Sequence, residues 1–356
     1  MKFVVKILKI LGSAVLALIL VVAVALGVFT IAEYKPADSE TIIPDHTVEA
    51  ILEPGHSLSV VSWNCGYGAL GDNADFFMDG GNSVYTADRE RLENNLAGIR
   101  DTLKSLNPDF LILQEVDINS ARSSGIDERS VFREVIPDAD DSFAYNFNTL
   151  YIPYPVPPMG HVESGLFTLT SASPRASDRI SLPVPFSWPV RLMNLKRCLL
   201  VSRFPVKNTG KDLVLINLHL EAYDSGEGKE AQTRQLVSLM EEEFSKGNYV
   251  IAGGDFNQRF TNIDQGAYPV YEGMWQPGVI DADSFGSSFS LLMDNTYPTC
   301  RSLDRPLAGS DRKNFQFYLI DGFIISSNVH AESIETLDCG FVFSDHNPVR
   351  MVFTLE

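Results

Sequence analysis

Three short segments carry the residue types of hydrolytic phosphorus chemistry: Leu113-Gln114-Glu115, Gly253-Gly254-Asp255-Phe256-Asn257 and Ser344-Asp345-His346. Each puts a carboxylate at the end of an apolar run, where a buried strand should surface into a loop. Carboxylate oxygens hold a hard divalent cation, an Asp orients or deprotonates water, and a His binds a phosphoryl oxygen or the leaving group. Asn64, His219 and Asp321 also fall at or just after the ends of expected strands. A lone Asp after a strand is usually a turn residue or a cap. Eight such groups of matching type, Asn64, Glu115, His219, Asp255, Asn257, Asp321, Asp345 and His346, call for a common explanation, because a rigid sheet converges distant residues through the loops at its strand ends.

The elements that must position them can be read from periodicity. Residues 57–64 alternate polar and apolar in a β-rich composition and predict a strand. A Gly- and Asp-rich loop from Gly66 to about Tyr85 follows. Leu92, Leu96, Ile99, Leu103 and Leu106 form one apolar stripe, which predicts a helix over 87–106 that Asn107-Pro108 stops. Asp109 to Leu113 is a buried strand delivering Gln114 and Glu115. Residues 197–203 and 212–219 are neighbouring strands around a turn at 208–210, and 229–245 is an amphipathic helix ended by Gly247. Tyr249 to Ala252, Phe317 to Ile325 and Val349 to Leu355 are further strands. The Pro- and aromatic-rich stretches 151–163 and 183–190 exclude central strands and are loops that cap a groove, lie near a membrane or simply pack.

Ile10 to Ala32 is a run of 23 uncharged, mostly apolar residues, long enough to cross a hydrocarbon core as one helix. Lys2, Lys6 and Lys9 precede it, which places residues 1–9 in the cytoplasm and the chain beyond about 33 outside. A cleaved signal peptide has a shorter apolar region and a small-x-small site, absent from Phe29-Thr30-Ile31-Ala32-Glu33. Residues 10–32 are therefore expected to be a retained transmembrane anchor, 33–57 a tether rich in Pro and charge, and 58–356 one catalytic domain. Formal net charge is −18, and without the three N-terminal lysines the remainder carries about −21. Such a body repels nucleic acid at long range. Four cysteines are too few to build a disulfide scaffold and have no zinc-like spacing; Cys65 and Cys198 read as small buried hydrophobes.

Ser62-Trp63-Asn64, Gln114-Glu115, Asn217-Leu218-His219-Leu220, Gly254-Asp255-Phe256-Asn257, Ile320-Asp321 and Ser344-Asp345-His346-Asn347-Pro348-Val349, in that order, resemble the endonuclease/exonuclease/phosphatase superfamily over roughly residues 58–355. The resemblance implies a four-layer α/β sandwich, two packed β-sheets flanked by helices, preceded here by the one transmembrane helix. It implies that Glu115, with Asn64 beside it and Asp345 completing the shell, holds Mg²⁺ or Mn²⁺. Asp255 would activate water, Asn257 and His219 would donate to phosphoryl oxygens, and His346 would bind phosphate with Asp321 fixing its tautomer. The chain departs from many members at Ser164–Ser171, where a Gly-rich, Ser-Arg-type segment is expected; Lys196-Arg197 is the substitute suggested for the phosphate-binding cation, with a strand-edge role as the alternative. Asp72, Asp75 and Asp79 are a solvated acidic loop or a second cation site. The implied activity is phosphodiester hydrolysis, on phospholipid head groups or small phosphodiesters; a cell-surface nuclease and an inactive binding module are the alternatives. No protein partner can be inferred.

Overall fold

The computed structural model describes residues 1–43, 50–224, 226–264 and 266–356. It begins with helix α1, Lys2–Ala32, whose side chains pack against nothing over most of its length. Strand β1, Ser39–Ile42, follows, and then β2, Leu58–Asn64. Helix α2, Arg89–Leu106, is capped by the Asp88 carboxylate, which accepts from the Arg91 N–H at 2.9 Å, and it ends at Asn107 in the left-handed region. Strand β3 is Phe110–Asp117, α3 a single turn at Arg129–Phe132, and β4, β5 and β6 are Asp140–Ile152, Gly160–Thr170 and Ala176–Ser181. Next come β7, Cys198–Val206, β8, Lys211–His219, α4, Glu227–Ser245, and β9, Tyr249–Asp255. Four short strands follow: β10 at Gln258–Phe260, β11 at Gly278–Ile280, β12 at Phe289–Leu292 and β13 at Cys300–Arg301. The chain ends with β14, Phe317–Tyr318, β15, Asp321–Ser326, β16, Val329–Thr336, and β17, Val349–Leu355.

These strands build two large mixed sheets, ordered β1-β6-β7-β8-β9-β15-β12 and β16-β17-β2-β3-β5-β4. Period-2 alternation explains why they stack. On β8, Leu213 and Leu215 face the other sheet, where Phe110, Ile112, Met351 and Phe353 meet them, while Val214, Ile216 and Leu218 face α4 with Leu236 and Met240. On the far side, Leu96, Ile99 and Leu103 of α2 cover Val61, Trp63, Leu111 and Leu113. The order helix, six-stranded sheet, seven-stranded sheet, helix is the expected four-layer sandwich.

Three expectations need correction. The tether over 33–57 is partly sheet: β1 pairs antiparallel with β6, and Leu52 bridges to Val206, while residues 44–49 lie outside the described residues. The single strand expected over 317–325 is two, because β14 pairs with β13 whereas β15 pairs with β9. The loop expected over 151–163 is shorter, because β4 runs to Ile152 and β5 starts at Gly160, so the prolines of that stretch occupy the hairpin tip.

Candidate functional site

The site lies where parallel strands of both sheets end together. In one sheet β2 pairs with β3, bringing Asn64 level with Gln114; in the other β8 pairs with β9, bringing His219 level with Asp255, and β15 sets Asp321 opposite Asp255. Two local devices aim the side chains. The β3–β5 pairing slips between Leu113 and Val116, and Glu115 within that bulge has φ +54°. Gly254 has φ +142°, and a Cβ there would sit 2.0 Å from the Leu218 carbonyl oxygen, so only glycine lets β9 approach β8 before Asp255. A polar tie crosses the sandwich just beneath: Gln114 donates to Asn217 Oδ1 at 2.8 Å, and Asn217 donates to the Leu113 and Phe167 carbonyls at 3.1 Å.

The structure brings all eight groups together. Asn64 Nδ2 lies 3.1 Å from both Glu115 Oε1 and Asp255 Oδ2, bridging the two carboxylates. Its amide oxygen accepts the Gly66 N–H at 3.0 Å, which fixes the orientation of the Asn64 side chain between the two carboxylates. His219 Nε2 is 3.4 Å from Asp255 Oδ2 and its Nδ1 is 3.9 Å from Glu115 Oε1. His346 Nδ1 pairs with Asp321 Oδ2 at 2.9 Å, leaving Nε2 3.7 Å from Asp255 Oδ2. The Asn257 backbone N–H binds Asp255 Oδ1, and its side-chain amide gives one proton to the Leu220 carbonyl and retains another. Asp345 faces Gly66 so closely that a Cβ there would meet its Oδ1 at 2.9 Å. First and last segments are latched together, with Ser344 donating to the Asn64 carbonyl at 2.7 Å and Trp63 Nε1 to that of His346 at 2.9 Å.

Burial splits the charge states. Burial, then the neighbouring Asp321, pushes the Asp255 carboxyl up to about 7. Burial and the Glu115 charge push Asp345 up to about 6, against the pull of His346. His219 is held well below its ordinary value by burial and the Arg197 charge, so it is a neutral imidazole. Burial opposes protonation of His346 too, but Asp321 outweighs it and holds the ring well above the ordinary range. The two histidines therefore differ in charge at neutral pH, His219 neutral and His346 cationic.

These groups open into a cavity of about 660 Å³. Its floor is acidic and its walls are apolar, with Phe77, Met78, Phe147, Tyr154, Phe186 and Trp275 among them. Among the described residues three arginines line it, each already engaged. Arg122 grips Asp117 through two hydrogen bonds and stacks 3.6 Å from the Tyr67 ring centroid. Arg197 binds Glu221 and the His219 carbonyl, and Arg301 binds the carbonyls of Gly71 and Ser302. Arg197 is thus a strut under His219. Lys196 is turned to Glu33 and the Arg191 carbonyl, and does not line the cavity.

The acidic loop is only in part solvated. Asp72 pairs with Arg91 at 2.6 Å and Asp75 accepts the Asn82 N–H, whereas Asp79 is half-buried against the Tyr223 hydroxyl, and burial raises its carboxyl to about 7. Cys65, Cys198 and Cys300 are buried free thiols. Arg122, Tyr67 and Tyr223 escaped sequence reasoning, because none lies at a strand end with an apolar run before it.

Residues 61–346 match the Endonuclease/Exonuclease/phosphatase family. No curated protein matches the chain. Solved structures share its fold at low identity. An endonuclease/exonuclease/phosphatase from Beutenbergia cavernae DSM 12333 is 14% identical, with TM-score 0.53 over 84% of this chain and 72% of its own. One from Bacteroides vulgatus is 16% identical, with TM-score 0.53 over 85% of this chain and 100% of its own. A family protein from Leptotrichia buccalis C-1013-b is 13% identical, with TM-score 0.53 over 84% and 99%. A match spanning most of the chain, on strand ends that converge the matching carboxylates and imidazoles, means that this protein belongs to the endonuclease/exonuclease/phosphatase family of phosphoester hydrolases.

Proposed function

We propose that this protein is a divalent-metal-dependent phosphodiester hydrolase, anchored by residues 10–32 with residues 58–356 outside the membrane, acting on phospholipid head groups or small phosphodiesters. The observation that carries this reading is the Asn64 bridge between Glu115 and Asp255, which sets the carboxylate that would hold the cation beside the one that would accept a proton.

The residues fit a hard cation. Glu115 and Asp345 both line the cavity, and the charge of Glu115 raises the Asp345 carboxyl, so a positive ion between them would relieve a repulsion that His346 and Arg301 offset only in part. When bound, Mg²⁺ or Mn²⁺ would neutralise developing charge on the phosphoryl group. The chain does the rest. Asp255 takes the proton of a water whose oxygen bonds to phosphorus; the ester P–O bond breaks and the leaving oxygen is protonated from solvent. Neutral His219 has a buried Nδ1 without a hydrogen-bond partner, and with the spare N–H of Asn257 it suits a phosphoryl oxygen. Cationic His346, fixed by Asp321, supplies a positive charge to the same group.

Among the described residues the arginines that line the cavity are all engaged, which disfavours a polyanion there, and apolar walls suit a substrate with hydrocarbon near its phosphate. The test is hydrolysis of bis-(p-nitrophenyl) phosphate by the full-length protein with Mg²⁺ and with EDTA. Metal-dependent turnover is expected; none under either condition would reject the reading.

A further inference from the structure

The end of α1 is clamped to the domain rather than hinged to it. Trp188 Nε1 donates to Thr30 Oγ1 at 3.1 Å, inside the last turn of the helix. One residue past the helix, the buried Glu33 carboxylate sits 3.2 Å from Arg191 and 3.4 Å from Lys196. The Tyr34 ring then meets Tyr145 edge-on at 5.9 Å. A helix long and apolar enough to span a bilayer thus fixes which face of the domain meets the membrane boundary.

That face is apolar. The β4–β5 hairpin tip exposes Leu150, Tyr154 (70% exposed) and Val156 (91%), and the neighbouring segment exposes Trp188 and Val190. The two are joined, since Thr149 Oγ1 donates to the Leu192 carbonyl and the Lys196 N–H to that of Asn146. Arg191 on this face is consumed by Glu33, so attraction to anionic lipid is not what the surface offers. The same elements form the cavity rim: Tyr154 lines the cavity and packs edge-on against Phe77 at 5.9 Å, and Phe186 and Met193 line it from the second segment. Large exposed apolar patches of this kind mark interaction surfaces.

We propose that the hairpin tip 150–156 and the segment 184–190 rest in the interfacial layer of the bilayer that holds α1, so that the cavity opens onto that leaflet and takes a phospholipid directly from it. The phosphodiester then reaches the acidic floor while the glycerol and first methylenes stay against Phe77, Tyr154 and Phe186. Aromatic residues suit such a boundary because their rings are apolar and their edges polar. The substrate half of this inference rests on the hydrolase reading above; the docking half does not.

The test uses the full-length protein with Cys339→Ser, reconstituted in phosphatidylcholine vesicles. A fluorophore on Val156→Cys should be quenched by doxyl-labelled lipid several-fold more than one on Glu242→Cys, which is exposed on α4. Equal quenching at the two positions would overturn the docking. Leu150→Glu with Val156→Glu should cut hydrolysis of vesicle phosphatidylcholine by about tenfold, since carboxylates are costly in the apolar layer, and leave the soluble bis-(p-nitrophenyl) phosphate rate unchanged. An equal effect on both substrates would overturn it as well. A wild-type protein that hydrolyses the soluble diester but no vesicle lipid would overturn the substrate half alone. Quenching without any hydrolysis would support the docking and sink the hydrolase reading instead.

Discussion

The cavity floor and the cavity rim are made in different ways. The floor is the end of a stacked pair of sheets: Asn64, His219, Asp255 and Asp321 are each the terminal residue of a strand, buried and held by register. The rim is loop: a hairpin tip, the 183–195 segment and the turn at 76–79, with large side chains in contact with solvent. A floor made of strand ends sets which bond is broken, since its groups are fixed before substrate arrives. A rim made of loops sets which molecule is admitted, and can vary without disturbing the floor.

The largest effect should come from the floor. Glu115→Gln is expected to abolish Mg²⁺-dependent hydrolysis of bis-(p-nitrophenyl) phosphate, a fall of about 10³-fold or more, with thermal unfolding little changed because it removes one of several crowded acids. Retained turnover would break the assignment of Glu115 to the metal. His346→Ala should lower kcat by about 10²-fold or more while moving KM far less. The reverse pattern would shift His346 from the chemistry to substrate capture, blurring the line between floor and rim.

A subtler effect concerns Asp255. In the metal-free protein its carboxyl should titrate near pH 7, identified as the ¹³C carboxyl signal lost in Asp255→Asn. The base works deprotonated, so turnover should rise with pH through this range. Added Mg²⁺ should lower the midpoint, because a nearby cation favours the carboxylate. A midpoint that Mg²⁺ leaves in place would detach the proton acceptor from the metal site. The smallest effect is at the rim. Tyr154→Ala should change turnover of the soluble diester by no more than about twofold, as an exposed side chain outside the reacting groups; a large loss there would mean that the rim also orders the floor.

The same division governs what could be read from the chain before folding. Part of the floor was visible because Glu115 and Asp255 follow runs of buried apolar residues, as in Tyr249 to Asp255, whereas Asp321 opens its strand and Asp345 follows a loop in which Val342 is exposed. The four layers were implied by the family resemblance that those segments carry. The rim was visible only in part, as the loops 151–163 and 183–190, and not in its cross-segment contacts. Arg122 reaches the cavity only because Asp117 holds it and Tyr67 supports its flat face, contacts between segments that no local spacing encodes. Strands β4 to β6 carry Asp140, Ser142, Asn146, Ser177 and Arg179 in buried positions, where cross-strand partners such as the Ser142–Ser177 hydrogen bond at 3.0 Å override weak strand propensity. The break at Leu319-Ile320 was hidden for the opposite reason. Both residues are buried and apolar like their neighbours, and only the change of partner from Cys300 to Asp255 divides the run.

The latch between Trp63-Asn64 and Ser344-His346 has a consequence for the protein's birth. Trp63 and His346 lie 283 positions apart in the chain, so the latch joins the first segment of the site to one made long after it. The N-terminal half of the site can exist only as a half-built socket until the segment around His346 has been made and has come back to meet the first strand. A copy that stops short of Ser344 therefore lacks the partner that holds Trp63 and Asn64 in place.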